Sequence, residues 1–213
     1  MSNTLTFYTH PYSRARIARW MLEETGLPYD EVVLEYGKSM KSPEYLAINP
    51  MGKVPALRQG DVVLTENAAI CLHLADLVPD KGLLPPVGSA ERGLCYRWMF
   101  FAAGPVESFI TARRHGALAP AMEAGYGSEA DLMRTLIGAV EGRKYLVGDS
   151  FTVADLYMVA FLSYYMRVGE LEPLAAFENY VAPHLQRPAA VRGNAKDDAL
   201  IPAMETGEAV GAA

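Results

Sequence analysis

Asn49-Pro50-Met51-Gly52-Lys53-Val54-Pro55-Ala56-Leu57, followed nine residues later by Glu66-Asn67-Ala68-Ala69-Ile70, decides how this chain is read. A Pro/Gly turn leads into a short apolar strand that a proline interrupts. A strand proline removes a backbone donor and belongs at an edge or a bulge. A cis bond at Val54-Pro55 would give it a purpose, turning a backbone edge outward where an extended peptide can pair. The helix start at Glu66-Asn67 then offers a carboxylate to an amine and backbone N–H groups to a carboxylate. Together the two segments describe a receptor for a small zwitterionic peptide.

Working outward, the first third of the chain alternates strand and helix signals. Leu5 to Tyr8 reads as a strand, Arg14 to Thr25 as a helix stopped by Gly26, and Tyr29 to Leu34 as a second strand. Val54 to Leu57 and Val62 to Leu64 flank Gln59-Gly60-Asp61, a hairpin turn, and Ala68 to Leu77 is helical. Leu83 to Gly88, with its Pro85-Pro86 pair, is the linker candidate. Every strong signal after it is helical. Ser89 caps a long helix running through Trp98, Phe101 and Phe109 towards Arg114, and further helices cover Glu129 to Lys144, Thr152 to Val168 and Leu174 to Arg187. A short helix from Ala189 to about Lys196 precedes Pro202, and Glu205 to Ala213 should fray.

One capping motif is unusually clear. Thr152 at the N-cap, Asp155 three residues on, and Phe151 opposite Leu156 form an acidic capping box with a hydrophobic staple. Asp155 therefore starts a buried helix and has no catalytic duty.

The Val-Pro turn, the Glu-Asn helix start and the stretch Tyr145 to Asp155 occur in the order found in cytosolic glutathione S-transferases, and the chain resembles that family nearly throughout. The resemblance implies an α/β thioredoxin-like N-terminal domain over residues 1–82, a linker at 83–88, and an all-α C-terminal domain over 89–213 that binds the acceptor. It implies reduced glutathione as co-substrate, a homodimer, and a detoxifying transferase of the cytoplasm. Val54 would offer backbone N–H and C=O to the cysteinyl part of glutathione, Pro55 the cis geometry, and Lys53 a charge to the glycyl carboxylate. Glu66 would pair with the γ-glutamyl amine, and Asn67 would bind the γ-glutamyl carboxylate through its backbone N–H and side chain. Asn67 is a departure, because Ser or Thr is commoner at that position, and Lys53 stands where many relatives have Gln.

Such chemistry needs a thiolate near neutral pH. Lowering a thiol pKa by about two units takes close to 2.7 kcal/mol, which a hydroxyl donating to sulfur beside a helix N-terminus can supply. Three candidates lie between the first strand and first helix. Ser13 sits five residues after Tyr8, the offset of the catalytic residue in serine- and cysteine-type relatives; it is equally an ordinary N-cap for a helix starting at Arg14. Tyr8 falls where tyrosine-type relatives keep theirs, although a strand-end tyrosine is commonly packing. Tyr12 is the third, and doubles as a wall of the acceptor pocket with Phe101, Pro105, Phe109, Arg113 and Tyr165. His10 reads as a solvent-facing loop residue, and the arginines at 14, 16 and 19 as a mostly solvated face.

Composition narrows the alternatives. A formal charge of −6 argues against nucleic-acid binding, no apolar run reaches the roughly 18 residues of a membrane span, and the N-terminus lacks a signal-peptide pattern. The four histidines are scattered without ligand spacing, so no metal is expected; Cys71 and Cys95 read as buried thiols. The expected reaction is conjugation of glutathione to small, largely apolar electrophiles. A glutathione-dependent peroxidase or disulfide-bond reductase, and a non-catalytic interaction module of the same fold, are the alternatives.

Overall fold

The computed structural model describes residues 4–206, with side chains through Ile201. They form two compact units: the chain up to Val78 together with the helix that begins at Pro188, and the segment Pro79–Arg187.

The first unit is built on a four-stranded sheet of order β2-β1-β3-β4, with β1 Leu5–Thr9, β2 Tyr29–Val33, β3 Ala56–Gln59 and β4 Val62–Leu64. β1 and β2 run parallel (Leu5 opposite Tyr29), as the crossover through helix α1, Ala15–Thr25, requires. After the single turn α2, Pro43–Leu46, β3 returns antiparallel to β1 with Phe7 opposite Leu57 and Tyr8 opposite Ala56. A two-residue turn at Gly60, φ 58°, leads into β4, and helix α3, Asn67–Asp76, follows. This is the thioredoxin-like arrangement. β1 is buried on both faces: Leu5 and Phe7 point one way, while Tyr8 joins Leu34, Met40, Tyr45 and Ala56 on the other.

α1 ends as the sequence predicts, on Gly26 at φ 66°, whose N–H donates to the Leu22 carbonyl at 3.0 Å. Of the three arginines read as a mostly solvated face, Arg14 is exposed and Arg16 half-buried, but Arg19 departs from it. Arg19 is 1% exposed, with Nε donating to Asp197 at 2.7 Å and a second ion pair to Glu31. Asp197 belongs to α9, Pro188–Thr206, which packs along α1. Gly193 makes the approach possible, since a Cβ there would stand 3.3 Å from the Trp20 Cα. The short helix expected to end near Lys196 therefore continues past Pro202. That proline withdraws one N–H from the ladder, but the turn before it is anchored on α1 through Asp197. Glu205 and Thr206 close α9; the rest of the stretch expected to fray lies outside the described residues.

The helical unit accordingly ends at Arg187, not at the last residue, and it begins before the expected linker. Leu83 and Leu84 are buried, and the Val153 N–H donates to the Leu83 carbonyl at 2.8 Å, so only Pro85 to Gly88 has the character of a connection. Helix α4, Ala90–Phe101, starts with Ser89 Oγ accepting the Arg92 N–H. It passes through a π turn, Ala102–Val106, into α5, Glu107–Arg114. The single long helix is thus interrupted by Pro105, whose missing N–H the wider turn accommodates. α6, Glu129–Val140, stops four residues earlier than predicted, before a turn at Gly142 with φ 65°. α7, Val153–Arg167, is apolar nearly all round and is the buried centre against which α4 and α8, Ala175–Leu185, pack. Its capping box is present: Thr152 N–H and Oγ1 meet Asp155 Oδ2 at 2.8 and 2.9 Å. Cys71 and Cys95 are both free and buried, and burial pushes both thiols up, away from reactivity.

Candidate functional site

Three segments of the first unit meet at one end of the sheet. The pairing of Tyr8 with Ala56 puts the start of β3 beside the end of β1, from which the loop His10–Arg14 issues. The side-chain amide of Asn67 then donates to the Arg14 carbonyl at 2.8 Å, tying the start of α3 to that loop. Ser13, the Val54-Pro55 turn, Glu66 and Asn67 are held together by these links.

The turn before β3 is braced by its own side chains. Asn49 Oδ1 accepts the Met51 N–H at 3.1 Å, while Asn49 Nδ2 and the Tyr45 hydroxyl both donate to the Lys53 carbonyl at 2.7 Å. Burial pushes the Tyr45 phenol up to about 12, so it stays a donor at any working pH. Gly52 lies at φ 56°, packed so closely that a Cβ would sit 2.6 Å from the Met40 carbonyl oxygen. The Val54–Pro55 bond is cis. The ladder with β1 begins at Ala56, so the peptide groups of Val54 lie outside it, and its side chain packs on the Tyr8 cluster. Lys53 is exposed.

Glu66 has φ 64° and ψ 110°, alone among the described non-glycine residues in having positive φ. Such a backbone costs on the order of 1–3 kcal/mol and is concentrated at binding and catalytic sites. Its carbonyl accepts the Ile70 N–H at 3.0 Å, and its exposed side chain makes no cap on the first turn of α3. The Asn67 side chain, expected to face a ligand carboxylate, is engaged with Arg14 instead.

In the loop, Ser13 Oγ donates to the His10 carbonyl at 2.7 Å and accepts the Ala15 N–H at 3.0 Å. It therefore takes the first N–H of a helix that starts one residue later than predicted, with Arg14 and not Ser13 at the N-cap position, and it is half-buried. Tyr12 is 58% exposed, whereas Tyr8 is 5% exposed and packed on Tyr45 with ring centroids 5.5 Å apart. His10 is not solvent-facing: it is 5% exposed, Nδ1 accepts the Tyr12 N–H at 3.1 Å, and the ring lies 4.2 Å from that of Tyr36. Burial lowers its pKa, against the pull of Glu35. His10, Tyr45 and Asn49 brace the site; Tyr45 gives no sign of it in the sequence, His10 reads there as solvent-facing, and Asn49 stands in the deciding stretch without a role of its own. Only Asn49, one residue before Pro50, carried a turn signal that would have found it.

The acceptor candidates after Tyr12 all belong to the helical unit. Phe101 is half-buried, edge-on to Trp98 at 5.8 Å, and Pro105 lies half-buried in the π turn. Phe109 and Tyr165 are core residues at 1% and 2% exposure, and the Tyr165 hydroxyl donates to Glu107 Oε2 at 2.5 Å. Arg113 is engaged with Glu129 at 2.7 Å and with Glu170. A cleft of about 710 Å³ in this unit is lined by Arg113 and Arg114 with Met133, Met166 and Leu171. Among the described residues no group of His, Cys, Asp or Glu is arranged for a metal ion, and no helix is long and apolar enough to cross a membrane.

Comparison with known proteins gives the family. Residues 3–76 match the family "Glutathione S-transferase, N-terminal domain", and residues 106–187 match "Glutathione S-transferase, C-terminal domain". The chain is 30% identical over 197 residues to glutathione S-transferase GST-4.5 of Xanthomonas campestris pv. campestris, covering 83% of this chain and 90% of that protein. It is 30% identical over 190 residues to glutathione S-transferase GstA of Escherichia coli O157:H7, covering 81% and 90%. Among solved structures, a sphingomonad glutathione S-transferase complexed with glutathione superposes with TM-score 0.74 at 26% identity over 91% of this chain and 98% of the other. The ternary complex of BphK, a bacterial enzyme of the same name, gives 0.75 at 25% identity over 91% and 99%.

Proposed function

The chain belongs to the glutathione S-transferase family, a family of transferases, and we propose that it conjugates the thiolate of reduced glutathione to small, largely apolar electrophiles. The observation that carries this reading is the convergence of the Ser13 loop, the cis-Pro55 turn and the strained Glu66 start of α3, tied by the Asn67–Arg14 hydrogen bond. The residues fit the tripeptide. The peptide groups of Val54 outside the ladder pair with the cysteinyl part, the uncapped N–H groups of α3 receive the γ-glutamyl carboxylate, Glu66 receives the amine, and Lys53 reaches the glycyl carboxylate.

Ser13 is the thiolate donor in this reading. Its Oγ keeps the Ala15 N–H, which polarises the hydroxyl, while its proton turns from the His10 carbonyl to the sulfur. The thiol proton leaves to solvent. The thiolate forms a C–S bond at the electrophilic carbon, and the displaced electron pair goes to the leaving group or into the conjugated acceptor. Tyr8 is placed less favourably, buried in the cluster with Met40 and Tyr45, and Tyr12 stands as an exposed wall. The acceptor side, with Phe101 and Pro105 as its accessible members, completes the proposal, as do a cytoplasmic location and a two-fold homodimer; a monomeric mass by light scattering would remove the dimer.

Calorimetric titration with reduced glutathione tests the site. Saturable binding is expected, weakened about tenfold or more in Glu66→Ala, the scale of a lost charge-assisted hydrogen bond. No binding up to millimolar glutathione, or equal affinity in the two proteins, would overturn the assignment.

A further inference from the structure

His10 accepts both donors of Ser13, yet nothing assigns it a role. Its carbonyl receives both the Ser13 N–H at 3.0 Å and the Ser13 O–H at 2.7 Å. Its imidazole reaches forward to accept the Tyr12 N–H at Nδ1, so the same residue grips two consecutive peptide units, one by main chain and one by side chain. The ring is held in turn, 4.2 Å from the Tyr36 ring and 5.9 Å from the Tyr12 ring. From these contacts we infer that His10 is a positioning residue, whose neutral imidazole holds the Tyr12–Ser13 turn so that the Ser13 hydroxyl faces the glutathione sulfur. The inference rests on the reading of Ser13 as thiolate donor.

The chemistry specifies the protonation state. An imidazole nitrogen accepts only when it carries no proton, so Nδ1 bonded to an N–H puts the ring hydrogen on Nε2. Burial favours that neutral form, although Glu35 pulls the other way. A side-chain acceptor bonded to the N–H two residues on is the geometry of an Asx turn, and Asn carries its Oδ1 on Cγ just as His carries Nδ1. Asn at position 10 should therefore preserve the turn, while Leu fills similar space and leaves the Tyr12 N–H without its acceptor.

The experiment follows the thiolate absorbance of bound glutathione against pH in the parent protein, His10→Leu, His10→Asn, Ser13→Ala and the double variant Ser13→Ala/His10→Leu. His10→Leu should raise the bound thiol pKa by at least half the Ser13→Ala shift, with calorimetric affinity kept within about threefold. His10→Asn should return the parent value, and His10→Leu should add nothing once Ser13 is gone. A parent-like pKa in His10→Leu, or an equal shift in the Ser13→Ala background, would overturn the inference. Ser13→Ala without effect would overturn it together with the thiolate assignment. A parent protein that binds no glutathione would sink the functional reading and this inference with it, an outcome distinct from a parent-like pKa in His10→Leu, which overturns the inference alone. Nitrogen NMR of histidine-labelled protein should show the Nε2–H tautomer; an Nδ1–H tautomer rules the contact out. That measurement also covers a His10→Leu protein that fails to fold.

Discussion

Gly52 sits where the chain has no room for a side chain. Alanine there would bring its Cβ to 2.6 Å from the Met40 carbonyl and 2.8 Å from Lys41 Nζ, in a backbone at φ 56°. The lysine can swing away, but the carbonyl belongs to the main chain and must move with it. Gly52→Ala should lose on the order of 1–3 kcal/mol in urea unfolding and weaken glutathione binding, because the same turn carries the doubly bonded Lys53 carbonyl. An unchanged midpoint would show that the turn yields freely. At this scale the sequence is legible where a residue type has few uses: Gly52, Pro55 and Glu66 stand out within a short window. Tyr45 and His10 do not, because a tyrosine reaching a carbonyl eight residues away, or an imidazole serving a turn, leaves no pattern in the neighbouring residues.

The helix α7 depends on one carboxylate. Asp155, wholly buried, takes the Thr152 N–H and hydroxyl on one oxygen, and the Leu146 N–H and Tyr180 hydroxyl on the other, each at 2.6 Å. Burial and the Asp155 charge push the Tyr180 phenol up, so it remains a donor. Asp155→Ala strands four donors at the centre of the helical unit and should cost about 3–5 kcal/mol, the scale for removing one partner of a buried charged network. Denaturant unfolding measures it; a loss under 1 kcal/mol would reduce the network to an ordinary cap. This helix was readable because capping chemistry is local. The π turn was not, since the pattern from Ser89 to Arg114 reads as one helix straight through Pro105, nor was the full length of α9, since Pro202 reads as a stop. What carries α9 past Pro202 is packing on α1, which resides in distant residues such as Arg19 and Trp20.

For the molecule as a whole, the buried histidines set a pH limit. His10 in one unit and His184 in the other both have pKa values lowered by burial, His184 with its Nε2 2.8 Å from the Lys144 carbonyl. In the unfolded chain each titrates near 6.5. The unfolded state therefore binds the proton first, and the histidine contribution to stability is complete above that value and is lost as pH falls towards the folded pKa. The thermal midpoint should be level between about pH 7 and 8 and decline below about 6.5. Replacing the pair as His10→Asn and His184→Gln should flatten that decline; an identical slope in parent and variant would assign it to other groups. Glu23, whose pKa is lowered by Lys196, Tyr29 and Arg192 despite its desolvation, loses its contribution only in the more acid carboxylate range.

The return of α9 to the first unit has a consequence for how the chain comes off the ribosome. The sheet, α1 and α3 are synthesised first, yet the helix that covers α1 emerges only after the whole helical unit has been made. Throughout that interval the nascent first unit has Arg19 without Asp197, and Trp20 without the backbone of Gly193 against it. Domains generally complete themselves in order of synthesis; here the N-terminal unit waits for the C-terminal helix. A stop codon after Arg187 would leave a full helical unit attached to an unfinished partner, with a buried cation and no anion on α9 to meet it.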